Sequence, residues 1–423
     1  MFKSIRPCWN KKRLIIMPRL AEHSECTGCM ACYNACQKQA IDVIKDKEGF
    51  LQPQVNAESC IECGLCEKSC PVVTPLEPWE DVTPKVYAAW HEEDRRESSS
   101  GGAFSAFARK TIEEGGVVFG AAFDTDFHLR HIEVIKVEGL KALRGSKYVQ
   151  SEIGDTFRSV KKYLKENRKV MFCGTPCQVA GLRGYLRKQY ENLLTADLAC
   201  HGVPSKAIFH SYLNKLEKRL GKAEKCIRIV NYEFRRRDGW GKTPSISTMS
   251  NSTPPSSTIR SLYGVDALYM EAFDKSALFR MSCYNCPFAK IPRVGDITLA
   301  DFWGVGRHGT PFRHSTTKGV SLIMVNSEQG KKAIANLDKQ TFIEERTLEE
   351  ALIENNNLRS PSTKHPRRDE IIADFLNDNI TLDKIDKRYY LVDRSIKGTI
   401  KVLALRTGLF DAVKVIYDKI KSL

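Results

Sequence analysis

The chain has 423 residues, with 66 Lys+Arg against 51 Asp+Glu, a formal charge of +15, and 42% hydrophobic residues. That apolar share supports a packed core and excludes global disorder, and the length suits two or three domains. No apolar run approaches the roughly 18–20 residues of a membrane-spanning helix. Leu14–Met17 is too short for the apolar stretch of a secretion signal, so a soluble, cytoplasmic protein is expected. Without such a signal, fifteen cysteines point to metal or redox chemistry rather than disulfides. The charge is compatible with nucleic acid, a membrane surface, or an acidic protein or cofactor. Nucleic acid has only the charge in its favour, and no specific nucleic-acid binding is expected.

Residues 1–20 form a basic arm with six positive side chains and no acidic ones, and Met17 is an alternative start that would leave residues 1–16 untranslated. Residues 21–78 hold eight cysteines and read as a small module dominated by its ligands. The Pro-rich stretch Pro71–Pro84 reads as a linker. Residues 85–340 alternate strand and helix patterns. Val117–Phe123, Lys169–Cys173 and Leu193–Cys200 read as strands; Asp155–Asn167 and Gln178–Gln189 read as helices, with a third from an N-cap at Ser205 to Leu220. This order predicts an α/β fold with a parallel, helix-covered sheet. Gly241–Ser261, rich in Ser, Thr and Pro, reads as an exposed hairpin or loop. Residues 341–423 read as a helical, basic tail. In it Leu409, Val413, Ile416, Ile420 and Leu423 form one apolar stripe. A helix docked on the domain is the plainer reading; peripheral membrane contact or a partner helix is the other.

The module contains a tandem repeat. Cys26, Cys29, Cys32 and Cys36 are followed at the same spacing by Cys60, Cys63, Cys66 and Cys70. Three closely spaced thiolates wrap one cubane, and the fourth cysteine of each run reaches across to the other. One 4Fe-4S cluster is therefore assigned to Cys26, Cys29, Cys32 and Cys70, and the second to Cys60, Cys63, Cys66 and Cys36. Zinc sites rarely repeat a three-plus-one spacing in tandem. Gln37 stands where a proline is usual after the fourth cysteine, which removes no ligand. Ala40–Val43 and Asp46–Phe50 read as a strand and turn joining the halves. The segment resembles a bacterial two-cluster ferredoxin, which implies one-electron transfer.

Among the other cysteines, Cys177 lies in the loop after one predicted strand, Cys200 ends the next, and Cys283-x2-Cys286 supplies a chelating pair. Loops after parallel strands open on one face, so these four can meet. A third cluster, a zinc site and ordinary buried thiols are all open from spacing alone. Cys173 competes with Cys177 but ends a strand, and Cys8 and Cys226 have no partner pattern. Ser98–Gly102 precedes an apolar helical run, Ala103–Ile112, and suits a phosphate at a helix N-terminus or simple capping. Lys147 reads as an anion contact or a solvated lysine.

Several segments together resemble the beta subunit family of coenzyme F-420 hydrogenases and dehydrogenases: Ser98–Gly102, Gly145–Ser151, Gly174–Leu182, Asp197–Ser205, Phe234–Trp240, Ser282–Phe288 and Asp296–Val305. With the ferredoxin module, the resemblance spans residues 22–330. It implies an α/β core binding FAD and a third 4Fe-4S cluster on Cys177, Cys200, Cys283 and Cys286. From loop position, the flavin contacts are then Ser100, Gly101, Gly102, Lys147, Gly174 and Thr175. Asp301 and Trp303 either shape the pocket or are structural, and His201 is either a proton donor or a local hydrogen-bonding residue.

The resemblance further implies an oxidoreductase relaying electrons between the clusters and FAD, with hydride exchange to a small organic molecule. That molecule is coenzyme F-420 or another reducible compound, with surface-polysaccharide metabolism as one context. The expected protein partner is a ferredoxin or another redox protein. The alternative is a non-catalytic electron-transfer subunit serving a partner enzyme.

Overall fold

Three thiols spaced three residues apart can face one cofactor only if the backbone between them turns sharply. The computed structural model, which describes residues 17–77, 83–221, 227–235, 241, 243–250, 256–395 and 403, shows how. Each cysteine run places residues in the left-handed region at matching positions, Gly28 and Met30 in the first and Glu62 and Gly64 in the second. Two of these four are not glycine, a conformation that costs about 1–2 kcal/mol per residue, so the wrap is imposed on the chain rather than favoured by it. Each run then enters a short helix, Ala31–Ala35 or Leu65–Ser69. Between them β1 (Ile41–Lys45) and β2 (Leu51–Val55) pair antiparallel. Asp46 closes the connecting turn by accepting from the Glu48 and Phe50 amides, both at 2.9 Å.

The core is built on eight strands: β3 (Lys85–His91), β4 (Val117–Phe123), β5 (Leu129–Val134), β6 (Val170–Cys173), β7 (Leu193–Leu198), β11 (Ile297–Asp301), β12 (Ser321–Val325) and β13 (Thr341–Arg346). Their order is β13-β3-β12-β11-β7-β6-β4-β5. The predicted parallel sheet holds only for β4, β6, β7 and β11; every other pairing is antiparallel, so the sheet is mixed. The parallel strands are nearly continuous apolar runs covered on both faces. Helices Ala103–Glu113, Thr156–Lys165, Pro176–Leu186 and Lys206–Leu220 lie among and over them. Ser205 caps the last, its hydroxyl accepting from the Ile208 amide.

Two expectations change. The tail does not begin as helix: Thr341–Arg346 pairs with β3 as an edge strand, its Ile343 and Glu345 exposed. An apolar residue at an exposed position, Ile343, and a charged one at a buried position, Arg346, hid the strand period. Helices follow at Leu348–Ile353, Arg368–Leu376 and Leu382–Tyr389, and the last two pack on Lys206–Leu220. The Ser/Thr/Pro-rich stretch does contain a hairpin. With β8 (Ile227–Glu233), β9 (Ser245–Ser250) and β10 (Ser256–Ser261) form an antiparallel sheet, but Ser245, Ile246 and Thr248 are buried rather than exposed. The stripe from Leu409 to Leu423, the arm before Met17, Cys8 and Cys226 lie outside the described residues. Among the described residues no helix is long and apolar enough to cross a membrane.

The ferredoxin module sits against helix Pro176–Leu186. A Cβ on Gly181 would come within 2.9 Å of Cys29 Sγ, and one on Gly184 within 2.4 Å of the Ser69 carbonyl. Glycine is thus required at both for this approach. Three core arginines hold the module. Arg158 donates to the carbonyls of Tyr33, Asn34 and Cys36 at the end of the first short helix, where orphan carbonyls favour a cation. Arg280 donates to the carbonyls of Cys26 and Leu51. Arg368, 1% exposed, makes a bidentate pair with Glu48 at 2.6 Å on each oxygen.

Candidate functional site

The ferredoxin thiols gather as the spacing requires. Burial pushes Cys29 and Cys32 well above the ordinary thiol range, and repulsion from Cys26 and Cys70 adds to it. Cys70 is raised by burial and by Cys26, and Cys66 by burial and then by Glu67 and Cys36. Cys26, Cys29, Cys32 and Cys70 are therefore neighbours, as are Cys36 and Cys66 across the repeat. Thiols crowded in this way become thiolates only when a cationic core offsets both burial and mutual repulsion, which is the service an iron–sulfur cubane provides. Cys63, at the far end of the module, is the one exposed thiol among the described cysteines.

The second thiol set is assembled from three places. Cys177 lies in the first turn of helix Pro176–Leu186, which starts two residues earlier than predicted. Cys200 follows β7, Cys283 lies within the turn Met281–Asn285, and Cys286 ends it. All four line one pocket, together with Thr27 of the module. Burial lifts Cys177 to about 11 and Cys283 to about 12, and it also raises Cys200 and Cys286; repulsion among the four adds to the first three. Cys177 also repels Cys29, which sets this group against the inner end of the module. Among the described residues no three His, Cys, Asp or Glu side chains converge on a single-ion site; these four surround a pocket instead.

A buried ion pair holds the Cys283–Cys286 segment in place. Arg293 Nη2 donates to Asp197 Oδ1 at 3.1 Å and to the Leu198 carbonyl at 2.9 Å. Asp197 Oδ2 accepts from the Val294 and Gly295 amides. Both side chains are fully buried, so the segment is locked to the end of β7, two residues before Cys200.

Next to this pocket lies a cleft of about 310 Å³ at the carboxyl ends of the parallel strands, where open α/β sheets bind ligands. The two share Thr175, Cys177, Cys200, His201, Gly202 and Val203. Of the residues assigned to the flavin, Ser100, Gly102, Lys147, Gly174 and Thr175 line the cleft. Gly101 is not among the lining residues. It packs beneath the cleft, where a Cβ would fall 2.2 Å from the Ala89 carbonyl and 2.6 Å from the Ser321 amide nitrogen. The Lys147 ammonium donates to the carbonyls of Leu143, Arg144 and Gly145, tying the loop that forms one wall. Thr175 hydrogen-bonds Gln178 Oε1 through its amide and hydroxyl and contacts Cys177 Sγ at 3.2 Å. Ser99 Oγ accepts from the Ser146 amide, joining the two loops at the mouth.

Asp301 and Trp303 both line the cleft. Asp301 takes a bidentate pair from Arg235 at 2.5 and 3.0 Å, and the guanidinium lies 5.6 Å from the Trp303 ring. Sequence reading missed Arg235, which no spacing connects to Asp301. It also missed His131 on the cleft wall. There Nδ1 meets the Ser151 hydroxyl at 2.9 Å and Nε2 the Cys173 carbonyl at 3.1 Å. Burial pulls His131 down to about 4, so it is a neutral, fully engaged ring at physiological pH. Cys173 faces the cleft rather than the four-cysteine pocket, its thiol pushed up to about 12 by burial. His201 lines both spaces, and its carbonyl accepts from Ser362 Oγ at 2.6 Å.

Comparison with known proteins agrees with this division. Residues 25–73 match the model of the 4Fe-4S dicluster domain. Residues 167–351 match the model of the C-terminal part of the coenzyme F420 hydrogenase/dehydrogenase beta subunit. The ferredoxin-type protein NapF of Escherichia coli K12 is 41% identical over 44 residues, 10% of this chain and 27% of that protein, and NapF of E. coli O157:H7 matches equally. The chain thus spans about a quarter of the length of these curated relatives. A chain of the F420-reducing [NiFe] hydrogenase complex from Methanosarcina barkeri, solved with xenon, is similar at 15% identity and a TM-score of 0.40, over 74% of this chain and 92% of that one. The chain thus joins a 4Fe-4S dicluster domain to a domain that matches the C-terminal part of the coenzyme F420 hydrogenase/dehydrogenase beta subunit.

Proposed function

We propose that this chain is an iron–sulfur flavoprotein oxidoreductase that carries single electrons through the ferredoxin module and a third cluster to FAD in the cleft, for exchange with a small organic substrate. One observation carries the reading: the four-cysteine pocket lies between the module and the cleft and shares lining residues with both. The donor set fits a cubane, four half-buried thiols around one pocket whose charge a cationic core would relieve. The cleft fits a flavin by its place at the strand ends and by its glycine- and serine-lined mouth. Bound there, a flavin would exchange hydride with an organic molecule and single electrons with clusters.

The chain's own contribution is shape and fixed charge. The Ser98–Gly102 loop and the Lys147 loop form the mouth, and the Arg235–Asp301 pair with Trp303 forms one wall. His131 keeps its proton on Nε2 against the Cys173 carbonyl and supplies no proton near neutral pH. Electrons would enter at the outer cluster, beside exposed Cys63, from a small redox protein.

The test is anaerobic purification followed by flavin extraction and iron analysis. Roughly twelve iron and twelve acid-labile sulfide per chain with bound FAD are expected. Cluster spectra without flavin, and no donor oxidation by the chain alone, would favour an electron-transfer subunit serving a partner enzyme.

A further inference from the structure

The module and the four-cysteine pocket are joined through Arg280, which is 2% exposed. Its main chain belongs to the core site. Its N–H donates to the Val203 carbonyl at 3.0 Å, and its carbonyl accepts from the Cys283 amide at 2.9 Å. Its side chain reaches into the module. Nε donates to the Cys26 carbonyl at 2.6 Å, while Nη1 donates to the Leu51 carbonyl at 3.0 Å and Gln150 Oε1 at 3.4 Å. Gly28, between Cys26 and Cys29, leaves the room, since a Cβ there would sit 3.0 Å from Nη1 and 3.2 Å from Cζ.

Every one of these acceptors is electrically neutral, and Nη2 has no partner among the described residues. An arginine does not release its proton in a protein. A buried ion without a counter-charge is strongly penalised, so an arrangement of this kind calls for nearby anions. The anions at hand are the thiolates on either side. The Arg280 carbonyl holds the amide of Cys283, one ligand of the core site, and its Nε is bonded to the residue that carries the first ligand of the inner ferredoxin cluster.

We propose that Arg280 is a positioning residue shared by the inner ferredoxin cluster and the core cluster, its charge balanced by both and raising both reduction potentials. A fixed positive charge stabilises the more negative, reduced form of each cluster, so removing it lowers the potential. The inference rests on the proposal that the four-cysteine pocket holds a cluster.

The test is an EPR-monitored redox titration of the full-length, anaerobically reconstituted protein with Arg280→Gln and Arg280→Lys. For Arg280→Gln, the inner and core potentials should fall by at least tenfold in the equilibrium constant of reduction, about 59 mV for a one-electron couple. The outer cluster should not move. Arg280→Lys, which keeps the charge and loses the planar fork, should shift them less. Unchanged potentials at full iron content would overturn the proposal. Should Arg280→Gln shed iron, Arg280→Lys decides: retained iron with potentials near wild type supports it, and iron loss in both variants overturns it by making Arg280 a structural strut. A wild-type protein that stops near eight iron would instead overturn the core-cluster reading, whatever Arg280 does.

Discussion

The ferredoxin module and the core each bring cysteines together in groups of four, by different means. In the module the eight thiols come from 45 consecutive positions, Cys26 to Cys70, and the ligands themselves dictate the backbone, including left-handed Met30 and Glu62. In the core, Cys177, Cys200 and the Cys283–Cys286 pair come from a helix start, a strand end and a turn. They meet only because the sheet and the Asp197–Arg293 pair hold those places in register. A local set depends on its metal for its shape, whereas the distributed set is shaped by the fold and should keep its architecture when one ligand is lost.

The largest test of that difference is Cys200→Ala. It should remove about four of roughly twelve irons and block electron transfer into the core while the N-terminal clusters and the fold remain. Iron and sulfide analysis with EPR reads the outcome, and loss of all iron from folded protein would show that the two sets are not separable. The next effect concerns the seam between them. Arg368→Met leaves Glu48 without its bidentate partner at the module's turn and should cost about 3 kcal/mol, the lower end for a buried pair because Glu48 keeps some solvent contact. Urea unfolding of the holoprotein measures it; a change below about 1 kcal/mol would mean that the pair does not secure the module.

The same contrast explains what could be read from the residues. Ligand spacing is a local property, so the eight module cysteines and the turn between β1 and β2 were legible. The four core cysteines were legible as candidates because strands ending in cysteine point to one sheet edge. Their anchoring was not, since Asp197 and Arg293 are 96 residues apart and no period links them. The mixed sheet was missed because β3, β12 and β13 join it from distant parts of the chain. Gly101 was assigned to a ligand because a glycine in a loop looks the same in sequence whether a phosphate or a neighbouring backbone approaches it. The net charge said least. Arg158, Arg280 and Arg368 point inward at the chain's own module, whose residues 17–77 carry nine acidic side chains against five basic ones. Part of the basic excess therefore serves the internal seam rather than an outside partner.

A smaller effect probes the cleft wall without touching a cysteine. Burial holds His131 at about 4, below its ordinary 6.5, so the unfolded chain takes up a proton before the folded one does. The stability tied to its neutral state is complete above about pH 6.5 and is lost as pH falls toward 4, by roughly 3 kcal/mol in total. His131→Gln should lack that slope. Melting curves of wild type and variant between pH 7.5 and 5.5 should draw together as pH falls, and parallel curves would mean that the imidazole is not held neutral.

The smallest structural effect and the clearest functional one belong at the module's outer end. Ile61 is 60% exposed and lies two residues before Cys63, whose thiol is exposed while Cys26, Cys29, Cys32, Cys66 and Cys70 are buried. An apolar side chain at the rim of an exposed cluster adds nothing to the core, so Ile61→Ser should change stability by no more than about 0.5 kcal/mol. It does remove the apolar contact that a protein donor would use to approach the outer cluster. Stopped-flow reduction by a reduced ferredoxin should slow several-fold, while reduction by dithionite, which needs no docking surface, should be unchanged. Equal slowing with both reductants would place the effect inside the cluster, and no slowing with either would move the point of electron entry away from Cys63.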